Sequence, residues 1–452
     1  MTDTLIVSVS GVRGIVGKDL TPELVSRFAS AMGILVLQSG GRKVVLARDS
    51  RTSGPMFAAA AAAGLESVGC AVIDCGMIPT PTAQLAVEHH GAGGGVVVTA
   101  SHNPVEWNAL KFVGADGIFL NSETGGKLRL LAEGALPEGV DRGDGAESET
   151  DGEAIARHLD GVLGLSTLDL ERIRKRRFVV ALDCVRGVGG TIMPGLLEAL
   201  GCRVVGMELE TDGRFTRPPE PVPENLSGLS ALVRDSGADL GMAIDPDCDR
   251  MALTDENGRP IGEDYTLAFA ARVVLAQAPG PVVVNLSTSL IVDDAAREFG
   301  SDVFRAPVGE AHVARAMLDR GAVVGGEGNG GVILPELHFG RDAPVAAALV
   351  LQLLAVTERT VSQVVDAAPR YTIVKAKAPR GGDLQATYTA LEDRFGDASV
   401  DCTDGIRLAW GDSWLHVRPS GTEPIVRLIG EAPSPGRAEE LVAEARNIFE
   451  RS

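Results

Sequence analysis

Apolar residues in this chain fall in short unbroken runs of aliphatic and β-branched side chains. Each run is followed by a polar loop and then by a stretch with helical spacing. The run 43–47 leads into Arg48-Asp49-Ser50-Arg51, an alanine-rich helical stretch and a second run at 71–73. The run 178–182 leads into Asp183-Cys184-Val185-Arg186-Gly187, a helical stretch and 203–205. The run 281–285 leads into Leu286-Ser287-Thr288-Ser289, the helix-like IVDDAAREFG and 302–304. Unbroken runs indicate strands covered on both faces, and their alternation with helical spacing predicts βαβ units with largely parallel sheets. Three copies predict three similar mixed α/β domains. Beyond Ala368 the pattern changes to strands at 371–378, 405–409 and 414–419 with helices at 384–395 and 438–450, a smaller α+β domain. The segment 133–154 is glycine-rich and acidic with almost no apolar content, so it reads as a linker or surface excursion. The expected division is 1–152, 153–254, 255–368 and 369–452, an α/β fold arranged around a central cleft.

Length and composition narrow the classes. A chain of 452 residues has room for three or four domains with cores that need no disulfide or structural metal. A formal charge of −19 repels nucleic acid and anionic lipid, so an anionic substrate would require locally concentrated positive charge. The six cysteines form no CxxC pair, which fits a reducing compartment. The first residues lack the basic segment of a signal peptide, and the longest aliphatic stretch, 345–356, is short of the ~20 residues that span a bilayer. A cytoplasmic protein without membrane or nucleic-acid partners is expected. The sequence sets no oligomeric state.

Four polar loops follow apolar runs. In Thr99-Ala100-Ser101-His102-Asn103-Pro104 a serine stands at a strand end, where α/β sheets place ligands. His102 and Lys111 could move protons or hold negative charge; an ST-turn that merely caps the strand is the plainer alternative. No GxSxG surrounds Ser101, which argues against a hydrolase triad. In Asp245-Pro246-Asp247-Cys248-Asp249-Arg250 three carboxylates at alternate positions repel one another unless a cation sits among them, and oxygen ligands suit Mg²⁺ or Ca²⁺ rather than zinc. Asp245, Asp247, Asp249 and Glu256 occupy EF-hand positions 1, 3, 5 and 12, but Arg250 stands where that loop needs glycine and the flanks read as strands. A strand-end magnesium site, with Arg250 placed to neutralise a phosphate, is the better expectation. In Gly325-Gly326-Glu327-Gly328-Asn329-Gly330-Gly331 the glycines allow close backbone approach, and Glu327 and Asn329 suit sugar hydroxyls. In Arg418-Pro419-Ser420-Gly421-Thr422-Glu423-Pro424 an arginine, two hydroxyls and successive N–H groups make a phosphate cradle, or else a proline-bounded turn.

Together, TASHNP, DPDCDR, GEGNGG and RPSGTEP, in this order and spacing, resemble the four signature loops of the α-D-phosphohexomutase superfamily, which includes phosphoglucomutase, phosphomannomutase and phosphoglucosamine mutase. The resemblance extends from Ser10-Gly11-Val12-Arg13-Gly14 to the fourth domain. It implies that Ser101 is a phosphorylated serine and metal ligand, and that Asp245, Asp247 and Asp249 hold Mg²⁺. It places Glu327, Gly328 and Asn329 in a sugar-contacting loop and Arg418, Ser420, Gly421 and Thr422 in a phosphate-binding loop. Arg13, His102, Lys111 and Arg250 match polar positions that line the active site. The third loop departs from the Ser- and His-bearing form that many members carry, and Arg341-Asp342-Ala343 has alanine where glycine often follows the aspartate.

The implied activity interconverts hexose 6-phosphates and hexose 1-phosphates through a phosphoserine and a hexose 1,6-bisphosphate. Glucosamine 6-phosphate is the substrate expected first, with a dual glucose/mannose mutase as the alternative. His102 and Lys111 are the expected general acid/base groups. A phosphatase acting through Asp-x-Asp would leave the serine loop and phosphate cradle unexplained. A non-catalytic sugar-phosphate or Ca²⁺-binding module would bind without turnover.

Overall fold

The central strands form where aliphatic and β-branched residues concentrate, and they end at polar loops. The computed structural model describes residues 5–8, 11–134, 147–379, 383–420 and 425–450. The described residues form four sheets. The first places Ile6–Ser8, Gly11–Ile15, Trp107–Gly114, Gly94–Val98, Lys43–Arg48, Ala71–Met77 and Glu149–Thr150 side by side in that order. Its central strands Gly94–Val98, Lys43–Arg48 and Ala71–Met77 run parallel, and Trp107–Gly114 returns antiparallel. The second orders Met251–Thr254, Leu240–Ile244, Val179–Asp183 and Arg203–Met207; the third orders Val303–Ala306, Val282–Asn285, Val324–Glu327 and Gly331–Ile333. Each of these two has three parallel strands and one antiparallel edge strand. The fourth sheet is antiparallel throughout, with Thr372–Pro379 on one edge and Ser399–Asp401 on the other.

This is the α/β architecture expected, three mixed units and a smaller fourth. Of the acidic segment, 135–146 lies outside the described residues, and Glu149–Thr150 then pairs parallel with Ala71–Met77 as an edge strand. The last helix starts at Pro435 rather than 438, because Ser434 accepts the Arg437 N–H as N-cap and proline suits the first turn. The triple-aspartate loop joins two strands, Leu240–Ile244 and Met251–Thr254, not the two helices an EF-hand requires.

The aliphatic stretch 345–356 lies in the helix Ala343–Thr357, which is buried along nearly its whole length. A helix apolar on every side belongs inside protein, and this one joins the second and third units in one continuous apolar core. The fourth unit has a core of its own around Leu391, Leu408, Leu415 and Leu441. Its seam with the third unit is polar: Ser289 Oγ and the Leu290 N–H (2.9 Å) donate to the Glu431 carboxylate, which also accepts from Trp414 Nε1 (2.6 Å). No described helix is long and apolar enough to cross a membrane.

Asp264 opens the helix Asp264–Gln277 and accepts the Ser289 N–H at 2.9 Å. Burial pushes its carboxyl up to about 8. A carboxyl whose folded value exceeds its unfolded one loses stability as pH rises from the unfolded value through the folded one. Asp264→Asn keeps the acceptor and removes the charge. Thermal melts are expected to show the variant more stable than the parent at pH 8, by on the order of a few kcal/mol, and nearly equal at pH 4. Equal melting points at pH 8 would contradict this.

Candidate active site

Ser101 follows the strand Gly94–Val98 and sits at φ +47°, a left-handed conformation that costs a non-glycine residue about 1–3 kcal/mol. Two buried groups hold it there. Thr99 Oγ1 accepts the Ser101 N–H at 3.0 Å and donates to Asp49 Oδ2 at 2.6 Å. Arg51, fully buried, donates from Nη2 to the carbonyls of Ser101 and Asn103, both at 2.6 Å. Its Nη1 reaches those of Pro104 (2.8 Å) and Trp107 (2.9 Å), and its Nε the carboxylate of Asp49 at 3.1 Å. A planar guanidinium can satisfy four carbonyls at once, which no other side chain does. The Ser101 hydroxyl is thereby aimed at Asp245 Oδ2, to which it donates at 3.0 Å, and lies 3.4 Å from His102 Nδ1.

The second loop turns immediately after Leu240–Ile244, with Cys248 at φ +62° and its N–H donated to the Asp245 carbonyl at 3.1 Å. The turn gathers carboxylate oxygens of Asp245, Asp247 and Asp249 to within 4.8 Å of one another, all buried. Asp245 Oδ1 accepts the N–H groups of Asp249 and Arg250 at 3.1 Å each. Asp247 Oδ1 and Asp249 Oδ1 are buried with no hydrogen-bond partner. Two orphaned anionic oxygens in an all-oxygen cluster suit a hard divalent cation. Burial and then the charges of Asp249 and Asp247 push the Asp245 carboxyl well above the usual range.

Cations surround the triad. Lys111 Nζ donates to Asp247 Oδ2 at 2.6 Å and lies 3.6 Å from Asp249 Oδ2. Burial acts to lower the Lys111 value, but Asp247 and Asp249 override it and hold the ammonium charged. Burial likewise acts to raise Asp247, yet Lys111 and the Thr80 hydroxyl (2.7 Å) bring it below the usual range. Arg250 Nε lies 3.6 Å from Asp249 Oδ1 and makes no hydrogen bond there. Arg13 donates to Asn103 Oδ1 at 3.0 Å, next to the serine. Burial, then Arg250 and Arg13, press the His102 ring well below its ordinary value, which leaves it neutral at pH 7.

Glu327 ends the strand Val324–Glu327 and is buried. Its Oε1 accepts from Asn285 Nδ2 and the Gly309 N–H, both at 2.9 Å, and its Oε2 from Arg341. Asn329 closes the loop, its Oδ1 accepting the Gly331 N–H at 3.3 Å, and the Gly328 N–H donates to Thr288 Oγ1 at 3.1 Å. Arg418 is the penultimate residue of the fourth-unit strand Trp414–Pro419 and donates to Asp404 Oδ2 at 2.8 Å. The same oxygen accepts the Val308 N–H at 3.0 Å, one residue before the amide that holds Glu327. Ser420 is buried at the strand's end, its N–H donated to the Ile425 carbonyl at 2.8 Å; Gly421 and Thr422 lie outside the described residues.

The first two loops therefore meet directly, Ser101 on Asp245, with Arg13, His102, Lys111 and Arg250 around them. The third joins through Arg341, and the fourth through Asp404 and Val308. Sequence reasoning did not select Asp49, Arg51, Thr99, Glu310 or Arg341. The signal available for Asp49 and Arg51 is a charged pair in a loop just after the apolar run 44–47, the same position that marks the other loops.

Four family patterns match the chain: the phosphoglucomutase/phosphomannomutase alpha/beta/alpha domains I, II and III over residues 5–133, 156–258 and 262–371, and the C-terminal domain over 374–448. The chain is 38% identical to a "Phosphoglucomutase/phosphomannomutase" of Thermococcus kodakarensis over 98% of both chains. It is 37% identical to a "Probable phosphoglucosamine mutase" of Methanopyrus kandleri, over 98% of this chain and 97% of that one. The crystal structure of a phosphoglucomutase/phosphomannomutase family protein from Burkholderia thailandensis superposes with a TM-score of 0.87 at 27% identity, covering 100% of this chain and 98% of that one.

Arg51→Lys keeps a charge beside Asp49 but cannot span four carbonyls. Amide hydrogen exchange across 99–104 is expected to rise about 10–100-fold, with protection in the neighbouring strands little changed. Unaltered exchange in this segment would remove Arg51 as the anchor of the serine loop.

Proposed function

This chain belongs to the phosphoglucomutase/phosphomannomutase family, a family of phosphohexomutases, and from that premise we propose that it converts glucosamine 6-phosphate to glucosamine 1-phosphate. The observation that carries the mechanism is the aim of the Ser101 hydroxyl at a triad of buried carboxylates with orphaned oxygens.

With Ser101 phosphorylated, its phosphoryl group passes to a free hydroxyl of the hexose monophosphate. The P–Oγ bond breaks and a P–O bond to the sugar forms, giving the 1,6-bisphosphate. His102, held neutral, takes the hydroxyl proton, and Lys111, held charged, gives one to the departing serine oxygen. The bisphosphate turns over in the cleft and returns its other phosphoryl group to Ser101. Asp245, Asp247, Asp249 and the phosphorylated Ser101 would hold a Mg²⁺ ion, which would supply charge neutralisation to a loose phosphoryl transfer. Arg250 and Arg13 stand ready for the phosphoryl oxygens, since Arg250 has an unpartnered buried Nε. Glu327, Gly328 and Asn329 face the sugar, and Arg418, Ser420, Gly421 and Thr422 grip the phosphate that does not react.

The choice of an amino sugar rests on the name of the Methanopyrus relative and on the third-loop variant. The name of the Thermococcus relative supports glucose and mannose phosphates as the second reading.

³¹P NMR with Mg²⁺, trace hexose 1,6-bisphosphate and the 6-phosphates of glucosamine, glucose and mannose in parallel separates these. The 1-phosphate is expected to form fastest from glucosamine 6-phosphate; faster glucose or mannose conversion selects the second reading. Silence with all three from Ser101-phosphorylated protein would overturn the mutase assignment for these substrates. His102→Asn and Lys111→Met are each expected to lower kcat about 10²–10⁴-fold while phosphoserine stays detectable by mass. Full activity in both would remove their acid/base roles.

A further inference from the structure

Arg341 lies outside all four motif loops, yet it touches two of them. It sits between the strand Gly331–Ile333 and the helix Ala343–Thr357, fixed there by a bridge to Ile333. Its guanidinium is buried among three carboxylates from separate segments. Nη2 donates to Asp249 Oδ2 at 2.5 Å, Nη1 donates to Glu327 Oε2, and Nε is 3.1 Å from Glu310 Oε2. The backbone N–H of Arg341 also donates to Glu310 Oε1 at 3.3 Å, and Gln84 Nε2 holds that oxygen at 3.2 Å from the first unit.

The stem of Arg341 explains part of the atypical third loop. A Cβ on Gly331 would stand 2.3 Å from Arg341 Cδ and 3.2 Å from its Nε, so a larger residue there would displace the arginine. The bare glycine and the arginine ten residues on are two halves of one packing solution.

One guanidinium set among three carboxylates divides its attraction among them. A cation on the aspartate triad withdraws negative charge from Asp249 and weakens that grip, which frees Arg341 to hold Glu327 and Glu310 more firmly. Besides Arg341, Glu327 Oε2 has only the long 3.5 Å hydrogen bond from Asn329 Nδ2 among the described residues, and the firm contacts are on its other oxygen. We propose that Arg341 is a positioning residue that couples cation binding at Asp245, Asp247 and Asp249 to hexose-phosphate binding at Glu327. This rests on the reading of the triad as the metal site and of Glu327 as a sugar contact. By reciprocity the sugar phosphate tightens the cation by the same factor.

The test is calorimetric and needs no turnover. Glucosamine 6-phosphate is titrated into Ser101→Ala protein with and without saturating Mg²⁺, and Mg²⁺ is titrated with and without the sugar phosphate. The same titrations follow in Ser101→Ala/Arg341→Lys, whose single ammonium reaches one carboxylate at a time, and in Ser101→Ala/Gly331→Ala, which moves the arginine without altering charge. Mg²⁺ is expected to tighten the sugar phosphate at least fivefold with Arg341 in place, and less than twofold in both double variants. Equal factors in all three proteins, or no factor in the first, would overturn the coupling. Absence of sugar-phosphate binding under every condition would instead overturn the reading of the cleft, and the coupling with it.

Discussion

Three buried carboxylates within 4.8 Å of one another are the constraint the rest of this cleft answers. Two unit charges 4 Å apart repel by about 4 kcal/mol at an effective dielectric near 20. Glu310 and Glu327 bring the anionic set to five, and Lys111, Arg250 and Arg341 set three cations against them. With Arg13 beside the serine counted as well, negative charge still exceeds positive in this buried set, which favours a bound divalent cation. Without that ion the imbalance falls on Asp245, whose carboxyl is pushed upward by burial and by its two neighbours. The fold thus stores, in the absence of cation, an electrostatic demand for one, and Ser101 is aimed at the residue that bears most of it.

The backbone meets this demand with two left-handed residues that are not glycine. Cys248 at φ +62° lets alternate aspartates converge, and Ser101 at φ +47° turns its hydroxyl toward them. Such conformations persist where the surroundings over-determine them. For Ser101 the surroundings are Arg51, Asp49 and Thr99, none of which faces the reacting group. For the triple-aspartate loop they are Thr80, whose N–H donates to the Asp247 carbonyl at 3.0 Å and whose hydroxyl holds its carboxylate, and the two N–H groups on Asp245.

Much of this was legible in the sequence because local pattern and function coincide. Unbroken apolar runs marked the central strands, and all four loops stand at strand ends as expected. The helix Ala343–Thr357 was legible only as an aliphatic stretch, since a helix buried on all sides loses the 3.6-residue periodicity that identifies it. Arg341 was illegible for a different reason: its partner Asp249 lies 92 residues away, and nothing in its own segment marks what it will touch. Arg51 was marked only by its place after an apolar run, which says nothing of its partner Ser101 50 residues on. The glycine at 331 was read as allowing close backbone approach to a ligand; what crowds it here is the side chain of Arg341.

The division of the core decides which part of the cleft can move. The second and third units share one apolar core through the helix Ala343–Thr357, and Ile118 of the first unit packs into a cluster with Val283, Met317 and Ile333 of the third. Relative motion of these three would expose buried apolar surface. The fourth unit keeps its core to itself and meets the third through polar groups. His416 belongs to that seam: its Nε2–H donates to the Asp404 carbonyl at 2.7 Å, which leaves Nδ1 to accept from the Ser287 hydroxyl at 2.8 Å. Burial presses this ring down to about 4, so the seam stays intact as a neutral contact across the physiological range. Polar contacts of this kind exchange for water at little net cost, whereas an apolar core does not. The fourth unit, which carries Arg418, is therefore joined to the rest by the contacts that cost least to exchange. Its attachment at Asp404 and Val308 runs to Glu327 through the next amide, so Arg418 of the fourth unit and Glu327 of the third are joined by one short chain of hydrogen bonds.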